Sequence, residues 1–328
     1  MMILGYHYAM NRMVSYIVSP QDDGKSVYFI LRNRMHVSEA IVRHARKTDV
    51  GVMLDGLLSR TDAIARSGQT ISLSLFDNGR DRSLKPEPGK LSIVFEDEDL
   101  LIINKDPGLV VHPSRGHFDG TLCNHVAYYL LHKEGHCEQD AMAPSPHPVN
   151  RLDRDTSGLI VFAKHAHAQN VLQAQLHTNS FKRTYLAICD GIPEPNSGTI
   201  DAPIARLRDV YGSFGVSELG KRAVTHYRVI NQDDAAPTAP NEAEHRETLS
   251  LVELQLETGR THQIRVHMSH IGCPLLGDDA YGNPTSLIER CALHSWQLDL
   301  VHPITQEQLH LGAPLPPDMK NVPIGLTR

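Results

Sequence analysis

The chain predicts an α+β protein, a mixed and largely antiparallel sheet domain preceded by a small α/β domain. Three observations carry this. Short β-like runs dominate from Leu91 onward, with few helical patterns between them. No internal repeat recurs along the chain. The segment ahead of the Gly- and Pro-punctuated stretch Asp77 to Lys90 has a helix-and-strand pattern of its own. At 328 residues there is length for two domains. We place them at 1–85, with a linker to about 90, and at 91–328.

Composition sets the class. With 41% hydrophobic and 21% charged residues the chain can bury a sizeable core. No apolar run approaches the roughly 20 residues that span a bilayer, so no membrane partner is expected. The first residues lack the basic start, apolar core and small-residue cleavage site of a signal peptide. Five scattered cysteines without C-x-x-C spacing read as reduced thiols of a cytoplasmic protein. A formal charge of −6 argues mildly against nucleic acid, but the charge is uneven. From Gly24 to Arg82 there are 10 Lys/Arg against 6 Asp/Glu. Much of the acidity lies instead in Asn231 to Glu247, an Ala- and Pro-rich stretch read as a surface loop.

In the basic segment, Ser38 can cap a helix from about Glu39 to Lys47 that carries Arg43, Arg46 and Lys47. Gly51 to Gly56 reads as a short strand and turn, and Gln69 to Leu75 as a second strand. Such a module suits a phosphate-binding surface; a helical face that merely happens to be basic is the plainer alternative. Leu91 to Phe95 and Leu100 to Asn104 form a hairpin-like pair whose acids, Glu96 to Asp99, read as a solvated turn. Gly120 to His132 is an amphipathic helix, and His132 to Pro148 a loop. His167 to Leu176 has helical spacing. Phe181 to Cys189, Ala223 to Ile230 and Leu249 to Leu256 are strand-like.

Two stretches carry chemistry. In HPVNRLDRDTSGLIVFAKH, His147 to His165, a polar half meets an unbroken apolar run, Leu159 to Ala163, that reads as a buried strand. Thr156, Ser157 and Gly158 form the turn between them. Asp153 thus sits on a loop at the mouth of a core strand. With Arg151 and Arg154 beside it to keep it ionised, it is a candidate catalytic carboxylate. An ordinary turn aspartate is the alternative.

The second stretch, ETGRTHQIRVHMSH, Glu257 to His270, reads as a turn opening a strand. Period-2 alternation puts Thr261, Gln263, Arg265 and His267 on one face, and His262, Ile264, Val266 and Met268 on the other. If the polar face meets the Asp153 loop, Arg265 pairs with Asp153, lowers its pKa by roughly 1–3 units and fixes its rotamer. A purely structural ion pair is the competing reading.

The histidines do not define a metal site. His165 and His167 form H-x-H, but alternation separates His262 from His267, and no Cys or second carboxylate stands at zinc spacing. The G-x-S-x-G elbow, the G-x-G-x-x-G fingerprint and the Walker loop are all absent. Chemistry without metal or cofactor, built on one carboxylate, is expected.

Arg151-Leu152-Asp153-x-x-Thr156-Ser157-Gly158, Lys182-x-Thr184-Tyr185-Leu186-Ala187 and Glu257-Thr258-Gly259-Arg260-Thr261-His262-Gln263-Ile264-Arg265-Val266-His267 resemble the RluA family of RNA pseudouridine synthases. Supporting stretches are Glu96 to Asp99 through Asn104-Lys105, then Pro274-Leu275-x-Gly277-Asp278-x-x-Tyr281-Gly282, and Leu293-His294. The resemblance runs from about Leu91 to the C-terminus. The N-terminal module is similar in element order to an S4-type RNA-binding domain, as carried by the branch that acts on large-subunit ribosomal RNA. The resemblance implies isomerisation of uridine in RNA, with ribosomal RNA favoured over transfer RNA. It implies Asp153 as the essential carboxylate, Arg265 as its steadying cation and Tyr185 as the residue that stacks on uracil with its hydroxyl toward C5. It further implies Arg151 as the residue that helps expel the nucleotide from its stack, and Ile264 and Leu293 as the apolar floor or wall under the base. We expect a monomer, since no long apolar stripe stands out.

Two departures concern subfamily more than activity. Asn150 stands where many members have His, and Asp106 where Pro usually follows the Lys. A non-catalytic RNA-binding or assembly factor on the same fold, and a metal-dependent hydrolase using the histidines, are the readings from other classes.

Overall fold

The computed structural model describes residues 12–48, 51–75, 84–114, 116, 118–133, 146–178, 180–207, 213–232 and 248–324. Most of the expected His132–Pro148 and Asn231–Glu247 loops, and 76–83 of the linker, lie outside the described residues.

The N-terminal module runs β1 (Met13–Ile17), α1 (Val27–Asn33), α2 (Glu39–Ala45), β2 (Val52–Leu54), β3 (Leu57–Leu58) and β4 (Thr70–Ser74). Its strands form an antiparallel sheet in the order β1-β4-β2-β3. Ser38 caps α2 by accepting the Ile41 amide, as the sequence predicts. The helix ends at Ala45, so Arg46 caps its C-terminus and Lys47 lies beyond it; both are exposed, as is Arg43. The first strand and α1 precede and adjoin the expected elements, and α1 is capped by Ser26. Val27, Ile30 and Leu31 join Val42, Ile71 and Leu73 in a core belonging to this module.

The larger part runs β5 (Ile93–Glu96), β6 (Leu100–Lys105), α3 (Leu122–Lys133), β7 (His147–Pro148), β8 (Ser157–Ala163), α4 (Ala166–His177), β9 (Lys182–Asp190) and β10 (Ser197–Asp201). It continues through β11 (Ile204–Arg206), β12 (Phe214–Val216), β13 (Val224–Gln232), β14 (Leu249–Leu256), α5 (Gln263–His270), β15 (Leu293–Val301), β16 (Gln308–Gly312) and α6 (Pro317–Lys320). Ten strands form one sheet with the backbone order β10-β13-β14-β9-β15-β8-β6-β5. β16 is added at β15 and β7 at β8, while β11 and β12 form a separate hairpin. Pairing is antiparallel except for β15 against β8, so the mixed, largely antiparallel α+β expectation holds.

β8 reads as a continuous apolar run because both its faces are covered. Ile160 and Phe162 pack with α3, whereas Leu159, Val161 and Ala163 pack with α4. At its first turn Gly158 has φ +105°, and a Cβ there would lie 2.2 Å from the Ser295 carbonyl oxygen. Only glycine permits so close an approach of β8 to β15.

Two expectations are overturned here. Gln263 to His270 is a helix, α5, not the continuation of a strand. The same letters satisfy both periods, and tertiary contacts decide between them. His262 takes a left-handed conformation (φ 53°) that breaks the extended chain. The Gln263 carboxamide then accepts from Thr258 Oγ1 at 2.7 Å and the Arg260 amide at 3.0 Å, and its Nε2 donates to the Val224 carbonyl at 2.9 Å. The acids after β5 are likewise not a solvated turn. Asp99 is buried and accepts Nε and Nη2 of Arg12 at 2.8 and 3.0 Å, joining the N-terminal module to the main sheet. His165 Nε2 lies 2.9 Å from the same carboxylate, and Lys164 pairs with Glu96.

Candidate active site

Asp153 sits in the loop between β7 and β8, closed by the Thr156 amide donating to the Asp153 carbonyl at 3.2 Å. A buried lysine and a largely enclosed arginine hold the two following carbonyls. Lys105 Nζ donates to Arg154 O at 2.8 Å, and also to the carbonyls of Asp106 and Leu109. Arg290 Nη1 donates to Asp155 O at 3.0 Å while its fork engages Asp318. The three donors of an ammonium match three carbonyls, so Lys105 needs no carboxylate partner. Burial pushes its pKa down to about 7, opposed by Asp155 and Asp153.

The flanking arginines do not serve Asp153 as the sequence suggests. Arg154 turns to Asp155 at 3.1 Å, and Arg151 is exposed. The nearby cation is Arg265, on α5, with Nη1 3.7 Å from Asp153 Oδ2. That is ion-pair distance and too long for a hydrogen bond. The Arg265 fork is engaged instead by Asp278, with Nε at 2.7 Å and Nη2 at 2.6 Å from its two oxygens. Asp278 is wholly buried, its side chain 0% exposed, while Arg265 is 11% and Asp153 22% exposed. Asp278 therefore aims the guanidinium, and one Nη is left facing the carboxylate that solvent can reach.

Tyr185, Leu152, Ile264 and Leu293 share one buried cluster on the α3 and α5 side of the sheet. β9 and β15 bring them together, Leu293 pairing with Ala187 and Ser295 with Tyr185. Burial raises the Tyr185 pKa; Arg183 opposes the shift and Asp153 adds to it. The phenol therefore stays protonated near neutrality. Arg43, Arg46 and Lys47 belong to the N-terminal module and not to this cluster.

Among the described residues, one group brings three possible metal-ligand atoms within 4.8 Å of one another: Asp97, Asp99 and His302. Its chemistry does not suit a cation. His302 Nδ1 accepts the amides of Ile304 and Thr305, which leaves the proton on Nε2, the atom 2.8 Å from Asp97. Asp99 is already taken by Arg12 and His165. His267, conspicuous in sequence, is structural: its nitrogens lie 2.8 and 2.9 Å from Thr225 Oγ1 and the Ala202 carbonyl oxygen.

Lys105, Asp278, Tyr281 and His262 hold or face the Asp153 site without any sequence signal of their own. They lie inside the matched motifs, and only three-dimensional proximity singles them out.

A partly exposed carboxylate at ion-pair distance from a guanidinium, near a buried tyrosine on a ten-stranded sheet, can accept a proton or attack an electrophilic carbon. The family model described as RNA pseudouridylate synthase matches residues 99–270. An uncharacterized RNA pseudouridine synthase of Bacillus subtilis, YhcT, is 38% identical over 95% of this chain and 96% of its own length. Ribosomal large subunit pseudouridine synthase D of Pseudomonas aeruginosa is 40% identical over 82% of each chain. The solved structure of human RNA pseudouridylate synthase domain containing 4 superposes with a TM-score of 0.54 at 27% identity, covering 70% of this chain and 91% of that one. The chain belongs to the RNA pseudouridine synthase family, in its RluA branch, and is an isomerase acting on RNA. No helix among the described residues is long and apolar enough to cross a membrane.

Proposed function

We propose that this enzyme converts specific uridines to pseudouridine in structured RNA, 23S ribosomal RNA before transfer RNA, with Asp153 as the essential carboxylate. The observation that carries the reading is the position of Asp153: held by its loop, partly open to solvent, and 3.7 Å from an arginine that Asp278 aims. Breaking the N1–C1′ bond, turning the base and joining C5 to C1′ requires an ionised acid at the ribose. Asp153 acts there either as the nucleophile at C1′ or as the base at C2′. The protonated Tyr185 stacks on the uracil and presents its hydroxyl toward C5. Ile264 and Leu293 wall the base, and Arg151 helps displace the nucleotide from its stack.

The large-subunit target rests on relatives named for it. We assign residues 1–85 as an S4-like RNA-binding domain using Arg43, Arg46 and Lys47, and 91–328 as the catalytic domain. The protein acts as a cytoplasmic monomer. Base-resolution mapping of pseudouridine in total RNA, from cells with and without the gene, tests the target. Asp153→Asn is expected to retain RNA binding and abolish product. Retained turnover in that variant would remove Asp153 from the mechanism.

A further inference from the structure

Two hydrogen bonds lead from the β11–β12 hairpin to His262, whose ring faces Asp153, and their direction is dictated by donor chemistry. The Phe214 amide can only donate, and it donates to Tyr281 Oη at 3.1 Å. Tyr281 Oη lies 2.9 Å from His262 Nδ1. Among the described residues the hydroxyl proton has no other acceptor in reach, so it goes to Nδ1. A neutral imidazole that accepts at Nδ1 carries its own proton on Nε2. That Nε2 stands 4.0 Å from Asp153 Oδ2, the same oxygen that faces Arg265 Nη1.

We propose that His262 is a positioning residue for Asp153: Tyr281 fixes its ring as the Nε2–H tautomer, and this N–H closes on Oδ2 when RNA enters, leaving Oδ1 to meet the ribose. The inference rests on the reading of Asp153 as the reacting carboxylate. The gap of 4.0 Å is too long for a hydrogen bond in the free enzyme, and a movement of about 1 Å closes it. The opposite tautomer would set a lone pair against a carboxylate. Phe214 and Tyr281 both meet the imidazole edge to face at 5.7 Å, which limits its rotation.

The backbone is arranged around this aim. His262 adopts φ 53°, ψ 23°, a left-handed conformation that few non-glycine residues take, although Asn, Asp and His do so more often than the rest. Burial lowers the His262 pKa, with Arg265 and Arg151 acting in the same sense and Asp153 and Asp278 against it, so the ring stays neutral at pH 7.

Two substitutions separate this role from a structural one by predicting opposite rank orders. Gln reaches far enough to donate from the Nε2 position but fits the left-handed backbone poorly. Asn fits that backbone and falls short. Activity is read as tritium released from C5-labelled total RNA prepared from cells lacking the gene, which contains the substrate whichever RNA it is. We expect His262→Gln to keep kcat within about fivefold and His262→Asn to lose about 10- to 100-fold, the range for one hydrogen bond to a charged group, with KM little changed in either. Tyr281→Phe should lower kcat in the wild-type background and add nothing to His262→Gln, because an amide needs no tautomer lock.

An Asn variant as active as Gln, or a Tyr281→Phe loss that persists beside Gln, would overturn the proposal. So would an Nδ1–H tautomer in the 15N imidazole spectrum of the wild-type enzyme, a measurement that does not depend on any variant folding. An Asp153→Asn enzyme that still releases tritium would instead remove the reading on which the inference rests, and the tautomer spectrum would be unaffected.

Discussion

Asp278 takes both hydrogen-bonding edges of Arg265 that lie within 2.7 Å, while Asp153 receives only the remaining Nη1, at 3.7 Å. The ion pair to Asp153 is thus the looser of the two. The tight pair is buried at Asp278 and sets the direction of the guanidinium; the loose one leaves the Asp153 carboxylate, proposed above to react, without a hydrogen bond from Arg265.

Arg265→Lys should therefore do harm in two measurable ways. An ammonium cannot span both oxygens of a buried Asp278, and losing one such bond costs about 1–3 kcal/mol of stability. Turnover should fall further than binding, because the charge no longer points at Asp153. Chemical denaturation and the tritium-release assay report the two effects separately. Wild-type turnover in a folded Lys variant would mean that any nearby cation suffices.

Lys105→Met removes three donors from partly buried carbonyls of the Asp153 loop and its neighbours. We expect a loss of about 1–3 kcal/mol or more, with reduced turnover as the Asp153 loop loosens. The pH dependence has a definite sign. The folded pKa, about 7, lies below the value of about 10.4 in an unfolded chain, so the unfolded state binds more protons between them. Lys105 thus makes stability rise with pH from about 7 toward 10. Urea titrations at pH 7 and pH 9 should show the gap between wild type and Met variant widening at the higher pH.

Asp99 should show the opposite dependence. Burial opposes its charge, but His165 and Arg12 outweigh that and hold the carboxyl well below the usual carboxylate range. A depressed folded pKa gives stability that is complete above about pH 4 and is lost as pH falls below it. Asp99→Asn should cost about 1–3 kcal/mol at pH 7, the difference shrinking toward pH 2. A constant difference across that range would show that the charge is not what matters.

Charge reversal of Arg43, Arg46 and Lys47 should weaken RNA binding most at low salt. The slope of log affinity against log salt should fall by about 0.7–0.9 for each phosphate that is no longer neutralised. At saturating RNA, kcat should be unchanged, since these residues lie outside the Asp153 cluster. Filter binding across a salt series checks this. An unaltered slope would take the basic module out of RNA recognition.

What the sequence discloses follows from how local each feature is. The Asp153 loop is legible because a polar, turn-rich segment gives way to an apolar run that needs cover on both faces. The hairpin β5–β6 and the cap at Ser38 are equally local. α5 is not legible, because Thr261 to His267 fits a period of 2 nearly as well as 3.6. The decision lies in the left-handed His262 and in the bonds of Gln263 to Thr258, Arg260 and Val224. Likewise nothing near Asp99 indicates that Arg12, 87 positions away, will reach it. Asp278 gives no sign in sequence that it, and not Asp153, receives the Arg265 fork.

The contact between Gly158 and Ser295 bears on how this enzyme can diversify. Two backbones touching with no side chain between them leave the peptide from Asp153 to Gly158 without slack, pinned at one end by strand β15 and braced midway by Lys105 and Arg290. Lengthening it by a single residue would carry the acid away from its arginine. New target preferences are therefore expected to arise away from this peptide, in segments that can grow or shrink without moving Asp153.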